Sequence, residues 1–185
     1  MANNFITNAP TSNLKGRLNE LIQHSDNLKF LVGFFYFSGI SELFTALKGN
    51  PDVSLRVLVG LSVDQGNHGL IEYGSVESAS DHEIANDFLK SVKEGLSEPS
   101  FDTQDFYTQV QFFIGKIKDG SLQIRKTLNP NHAKVYLFNL NESQVGKRKL
   151  FITGSSNLTK AGLTTQSEFN VEISDYGVED VEKYF

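Results

Sequence analysis

The chain has 185 residues, 39% of them hydrophobic, and a formal net charge of −5, which suits one domain over residues 1–185 with a proper core. It contains no cysteine, which excludes disulfides and thiolate metal sites and is compatible with a reducing compartment. No apolar run approaches the length of a membrane span, and the start MANNFITNAPTSN lacks the basic and apolar regions of a signal peptide, so a soluble, cytoplasmic protein is expected.

Met1 to Asn13 is polar and reads as loose chain. Leu14, Leu18, Leu21 and Ile22 recur at helical spacing, so a helix is expected over Leu14–His24 with Ser12 or Asn13 as its cap. Leu28 to Phe37 is a dense apolar run with Gly33 inside it, as a buried central strand would read. Its aromatics are read as core rather than as a platform for stacking bases. Ser38-Gly39 ends the run, and Ile40–Leu47 reads as a helix closed by Gly49 and Asn50 before Pro51. Leu55–Leu61 is a second buried strand, and the β-α-β order predicts parallel pairing.

Ser62–Ser80 is a long polar loop whose glycines match no phosphate-binding fingerprint. Asp81–Gly95 reads as a helix with Ile84, Phe88, Leu89 and Val92 inward. Asp81, His82 and Glu83 are adjacent and face different ways on a helix, which fits an acidic first turn better than a metal site. A further helix starts at Asp102 or Thr103 and runs to about Lys118, with Phe106, Val110, Phe113, Ile114 and Ile117 on one face. Leu122–Lys126 is a strand carrying Arg125, and Asn129-Pro130-Asn131 breaks the chain after it.

The next stretch carries the chemistry. His132–Phe138 reads as a strand, so His132 and Lys134 would point the same way. A lysine there is costly to bury unless something anionic meets it. Taken alone, the pair also fits a lysine that snorkels out at a strand end beside an ordinary surface histidine. Lys147, Arg148 and Lys149 form a basic loop. Leu150–Thr153 is apolar and ends in Gly154-Ser155-Ser156-Asn157, followed by Thr159 and Lys160. Small residues with free N–H groups at a strand end can hold a phosphate, and they fit a plain turn or cap equally well. Glu168–Ser174 is a further strand, and Val178, Val181, Tyr184 and Phe185 begin an apolar helix face. The chain stops there, and more protein is expected beyond it.

From Ser121 to Lys160 the cations are Arg125, Lys126, Lys134, Lys147, Arg148, Lys149 and Lys160, with Glu142 the only acid, a net of +6. A basic patch on an acidic body is the footprint of a polyanion site, nucleic acid above all, against the plainer reading of a solvated hairpin loop. Arg125, Lys147, Arg148, Lys149 and Lys160 are the candidate nucleic-acid contacts.

The order His132-x-Lys134, then Gly154-Ser155-x-Asn157, then Glu168 on the next strand, resembles the phospholipase D superfamily, and most of all its small single-motif nuclease branch. The run from Phe34 to Gly39 with Leu55 to Gly60 also resembles phospholipase D-like domains at the N-terminus of helicase-type proteins. The resemblance implies an α/β fold, a mixed central sheet with helices on both faces. It implies His132 as nucleophile, Lys134, Ser155 and Asn157 as phosphate binders, and Glu168 as the carboxylate that orients the histidine. The implied function is metal-independent phosphodiester cleavage in nucleic acid, DNA before RNA, through a phosphohistidine, with no cofactor. The family's Asp five residues after the lysine is Asn139 here, and the segment Asn139–Lys149 between the motif halves is long. There is one His-x-Lys only, since His24, His68 and His82 are followed by Asp26, Leu70 and Ile84 at the lysine position. The second histidine is therefore expected from another subunit of a homodimer. Two other classes are a nucleic-acid-binding accessory of a C-terminal helicase domain and an enzyme of phospholipid headgroups. The absence of an amphipathic basic helix or anchor lowers the second.

Overall fold

The computed structural model describes residues 4–9, 12–63, 104–142, 148–174 and 177–185. The helix expected over Asp81–Gly95, most of the loop expected from Ser62, and Lys147 of the basic loop lie outside these residues. Seven strands form one mixed sheet: β1 (Phe5–Ile6), β2 (Ser25–Phe35), β3 (Ser54–Val63), β4 (Leu122–Lys126), β5 (Val135–Leu140), β6 (Lys149–Gly154) and β7 (Asn170–Ser174), in spatial order β1-β7-β6-β5-β2-β3-β4. β2, β3 and β4 are mutually parallel, as the β-α-β pattern predicts; β2–β5, β5–β6, β6–β7 and β7–β1 are antiparallel.

Six helices are described: α1 (Leu14–Gln23), α2 (Phe37–Ser41), α3 (Phe44–Gly49), α4 (Gln104–Lys118), α5 (Lys160–Thr164) and α6 (Val178–Glu182). Asn13 caps α1, accepting the Gly16 N–H at 2.7 Å. The main core lies on one face of the sheet. There Phe30, Tyr136, Phe138 and Val57 meet Leu18 and Ile22 of α1, Leu47 of α3, and Val110 and Phe113 of α4. Each such side chain contributes about 1.5–3 kcal/mol by leaving water. On the opposite face Leu137 and Phe151 are covered by Val178 of α6, with Val181 packed alongside. The α/β architecture with helices on both faces is therefore as expected.

Several boundaries differ from the sequence reading. The helix expected over Ile40–Leu47 is two short helices. The strand expected from Leu28 to Phe37 starts at Ser25, where the Ser25 hydroxyl bonds Leu21 O at 2.7 Å, and stops at Phe35 because Phe37 already opens α2. The N-terminal segment is not loose: Phe5 and Ile6 pair with β7, and Asn8 Nδ2 donates to Gly162 O at 2.9 Å. Tyr184, expected on an inward helix face, is 74% exposed, since α6 ends at Glu182. The strand expected from His132 begins only at Val135, which leaves His132 and Lys134 in the lead-in.

Candidate active site

Two glycines on neighbouring parallel strands prepare the site. Gly33 of β2 and Gly60 of β3 lie where the β2–β3 register shifts, just past the Val32–Val59 pair. The segment before β5 crosses them. Asn131 N donates to Gly60 O at 3.2 Å, and a Cβ on Gly60 would stand 1.7 Å from the Asn131 carbonyl oxygen. A Cβ on Gly33 would stand 2.8 Å from Cδ2 of His132 and 3.2 Å from Oδ1 of Asn157. Only residues without side chains allow the chain so close. Asn131 Oδ1 also accepts the Ala133 N–H at 2.7 Å, a local turn that presents His132 outward.

His132 is exposed and its ring meets Phe34 edge-to-face, centroids 6.0 Å apart. Lys134 is 6% exposed, and its ammonium turns back to donate to His132 O at 2.7 Å. The two side chains therefore do not run in parallel from a strand, as the sequence implied; both belong to an irregular lead-in pinned to β3. No carboxylate pairs with Lys134 among the described residues. Burial pushes its pKa below the ordinary lysine value, partly offset by the charge of Glu168. A buried ammonium held by a carbonyl alone keeps its desolvation cost, which a bound anion would offset.

The Gly154–Asn157 turn ends β6. A Cβ on Gly154 would collide with Phe169 O at 2.2 Å, so glycine is required. Asn157 Oδ1 accepts the Phe34 N–H at 3.0 Å, which fixes the amide over Gly33 beside His132. Below, Tyr136 OH donates to Ser156 O at 2.9 Å, and Asn170 Nδ2 donates to Ser156 Oγ at 2.9 Å. Tyr136, Ser156 and Asn170 are wholly buried, so this network locks the turn from inside. Burial raises the Tyr136 pKa and keeps its hydroxyl a donor.

His132, Asn157 and Lys134 thus come together at the end of the sheet where β2 and β6 finish and β5 begins. Ser155 and Glu168 sit on its rim. The Ser155 hydroxyl donates to Glu168 Oε2 and accepts the Phe169 N–H at 3.1 Å. Glu168, expected to orient the histidine, bonds Ser155 here rather than His132. The reason is local: Ser155 N–Phe169 O, at 3.2 Å, continues the β6–β7 ladder and brings Ser155 directly against Glu168.

The candidate nucleic-acid contacts are dispersed. Arg148 is exposed, and Lys149 opens β6 and pairs with Glu182 at 2.6 Å. Lys160 is largely exposed and lies 4.0 Å from Glu42. Thr159 spends its hydroxyl capping α5, accepting the Gly162 N–H at 3.1 Å. Arg125 lines a separate cleft with Arg56, Gln123 and Phe185. Asn139 lies at the far end of β5, paired with Asn27 and Lys149, about 13 Å of strand from Val135. Among the described residues no group of three His, Asp or Glu side chains could hold a metal ion, and no helix is long and apolar enough to cross a membrane.

Sequence reasoning missed the glycine pair, Tyr136, Asn170, and the openness of Phe34 and Tyr36, which it took as core. Phe35 and Phe37 are indeed buried, at 0% and 4%, but Phe34 is half-buried and Tyr36 is 37% exposed. The glycines did leave a signal, since an isolated glycine inside a strand pattern marks a close approach of another chain segment.

No curated protein matches the chain. Among solved structures it is similar to Nuc from Salmonella typhimurium, a phospholipase D family member, at 13% identity and a TM-score of 0.45, over 97% of this chain and 86% of that one. It is also similar to NucT from Helicobacter pylori, at 14% identity and a TM-score of 0.44, over 97% and 90%. The family described as "Cardiolipin synthase, PLD-like domain" matches residues 20–185, and the chain belongs to this phospholipase D-like family.

Proposed function

We propose that the protein is a metal-independent phosphodiesterase acting on nucleic acid, DNA before RNA, through a phosphohistidine on His132. The observation that carries this reading is His132 and Asn157 packed together over Gly33, beside the buried Lys134, which has no ion pair among the described residues. In the reaction a ring nitrogen of His132 attacks phosphorus and the P–O bond to the leaving nucleoside breaks. Water then attacks the phosphohistidine, giving its proton back to the group that protonated the leaving oxygen, and the P–N bond breaks to release the phosphomonoester end and restore the imidazole. Lys134 and the Asn157 amide stabilise the charge that builds on the non-bridging oxygens. Glu168 acts through Ser155, holding the turn and keeping the pocket's potential balanced against Lys134.

The leaving oxygen needs an acid. This chain has one His-x-Lys, so the reading includes a homodimer in which His132 of a second subunit supplies that proton across a shared site. Mixing wild-type and His132→Ala subunits in equal amounts, with full exchange, is then expected to leave roughly a quarter of the activity, against about a half if each subunit works alone. The chain is further read as a cytoplasmic domain joined to a helicase-type partner.

The alternative is a nucleic-acid-binding accessory that does not cleave, which Asn139 in the place of the family's Asp would favour. Asn139 stands at the end of β5 remote from His132, so the replacement does not act on the nucleophile by contact. Incubation with plasmid DNA in EDTA separates the two. Nicking is the expected result; tight retention without nicking would replace the enzyme by the binding module, and neither would remove both.

A further inference from the structure

We infer that Phe34 and Tyr36 form a stacking subsite for an unpaired nucleobase next to the scissile phosphate. The inference rests on the phosphodiester reading above and names the form of substrate it takes.

The run Phe34-Phe35-Tyr36-Phe37 alternates. Phe35 and Phe37 point into the core, whereas Phe34 and Tyr36 stand on the opposite side with their rings 6.3 Å apart, edge-to-face. Both line a cleft of about 190 Å³ shared with Asn157, Thr159, Gln166 and Glu168. The extended chain thus sends Phe35 into the core and leaves Phe34 and Tyr36 to face the cleft. One wall of the cleft is aromatic, and the Phe34 ring that forms it also meets His132, which stands beside the cleft rather than in its lining.

The ledge is rigid. Phe34 N is held by Asn157 Oδ1 at 3.0 Å, and Tyr36 N donates to Leu158 O at 3.0 Å. Leu158 O in turn lies where a Cβ on Gly39 would be, 2.2 Å away, so the α2 start is pressed against the motif turn. The residues that hold the phosphate-binding amide therefore also fix the aromatic wall. A phosphate at His132 and Asn157 would leave the base of an adjoining nucleotide beside Phe34 and Tyr36. Every base has an apolar face that stacks on an aromatic ring, whatever its sequence. Inside a duplex that face is covered by its neighbours, so the cleft accepts a base only where the strand is unpaired or opened.

The test measures binding by the full chain carrying His132→Ala, which avoids cleavage, using a fluorescent oligothymidylate and an abasic strand of the same length. The base-bearing strand is expected to bind about tenfold more tightly than the abasic strand. Tyr36→Ala should lose about that factor on oligothymidylate and nothing on the abasic strand, while Tyr36→Phe should keep it. Equal affinity for the two strands without the Tyr36 change overturns the subsite, and this comparison does not depend on any Tyr36 variant folding. Equal losses on both strands with Tyr36→Ala also overturn it, because the tyrosine then acts on the fold alone. Failure to bind either strand removes the nucleic-acid reading itself and the subsite with it.

Discussion

The β5–β6 pair carries a lysine at each end, and the two are treated in opposite ways. At one end Lys149 opens β6 and shares Glu182 with Lys29, at 2.6 and 2.7 Å. That carboxylate is held at about 2, first by the hydrogen bond from Lys149 and then by that from Lys29. At the other end Lys134, more deeply buried than Lys149, has among the described residues only the carbonyl of His132 as a hydrogen-bond partner, and burial lowers its pKa. A protein gains nothing in stability from burying an ammonium without a counter-charge. The difference separates a cation that fastens a helix through a carboxylate from one that has no ion pair among the described residues. Charge in the sequence does not make that distinction; the partner does.

The largest expected break of this contrast is at the nucleophile. His132→Ala should lower cleavage by about a thousandfold or more, with an unchanged thermal melt because the ring is exposed. Full EDTA-resistant activity in that variant would sink the assignment. Next comes Lys134→Met, expected to cost about 100-fold in turnover while leaving urea stability unchanged or raised. A parallel loss of stability and activity would mean that Lys134 serves the fold. The pH dependence follows from the same burial. An anionic ligand favours the charged ammonium, so affinity for a phosphodiester analogue should fall as pH rises through the lowered Lys134 pKa, below the ordinary 10.5. Lys134→Arg should remove that fall.

At the other end the expected effect is smaller and lies in stability. Glu182→Gln should cost about 1–2 kcal/mol near neutral pH, after allowance for solvent screening of Lys149. The Glu182 pKa is depressed in the folded state, so its contribution is in place above the ordinary 4.5 and is lost as pH falls toward about 2. Urea titrations of both proteins down that range should converge. The smallest effect concerns the basic loop. Arg148→Ser should make the salt dependence of nucleic-acid binding shallower by roughly 0.7–0.9, one phosphate contact. Lys149→Ser should barely change it, because that ammonium is already spent on Glu182.

Much of this frame could be read from the chain. Leu14, Leu18, Leu21 and Ile22 announce α1, and the dense apolar runs announce β2, β3 and β5, because local periodicity and burial agree there. The His132, Lys134, Ser155, Asn157 and Glu168 order brings its members to one end of the sheet. What escaped depends on partners distant in sequence. Lys149 finds Glu182 across 33 residues, and nothing near either residue signals it. Glu168 meets Ser155 because of the β6–β7 register. Lys134 falls outside β5 because Asn131 is tied to Gly60, a tertiary bond that overrides the extended preference of the segment. β1 is two residues long, too short for any period to emerge.

The pair Gly33 and Gly60 ties the seat of His132 to strand register. His132 rests on the main chain of Gly33, with the Phe34 ring and Asn157 alongside, so its seat depends on where the strands place that glycine. A slip of β2 by one residue would replace Gly33 beneath the imidazole by Val32 or Phe34, and the same slip in β3 would drive Val59 or Leu61 against Asn131. Either would eject the lead-in segment outright. A sheet with interchangeable apolar residues could tolerate several alignments of its parallel strands; this one has a single alignment in which the histidine has somewhere to sit.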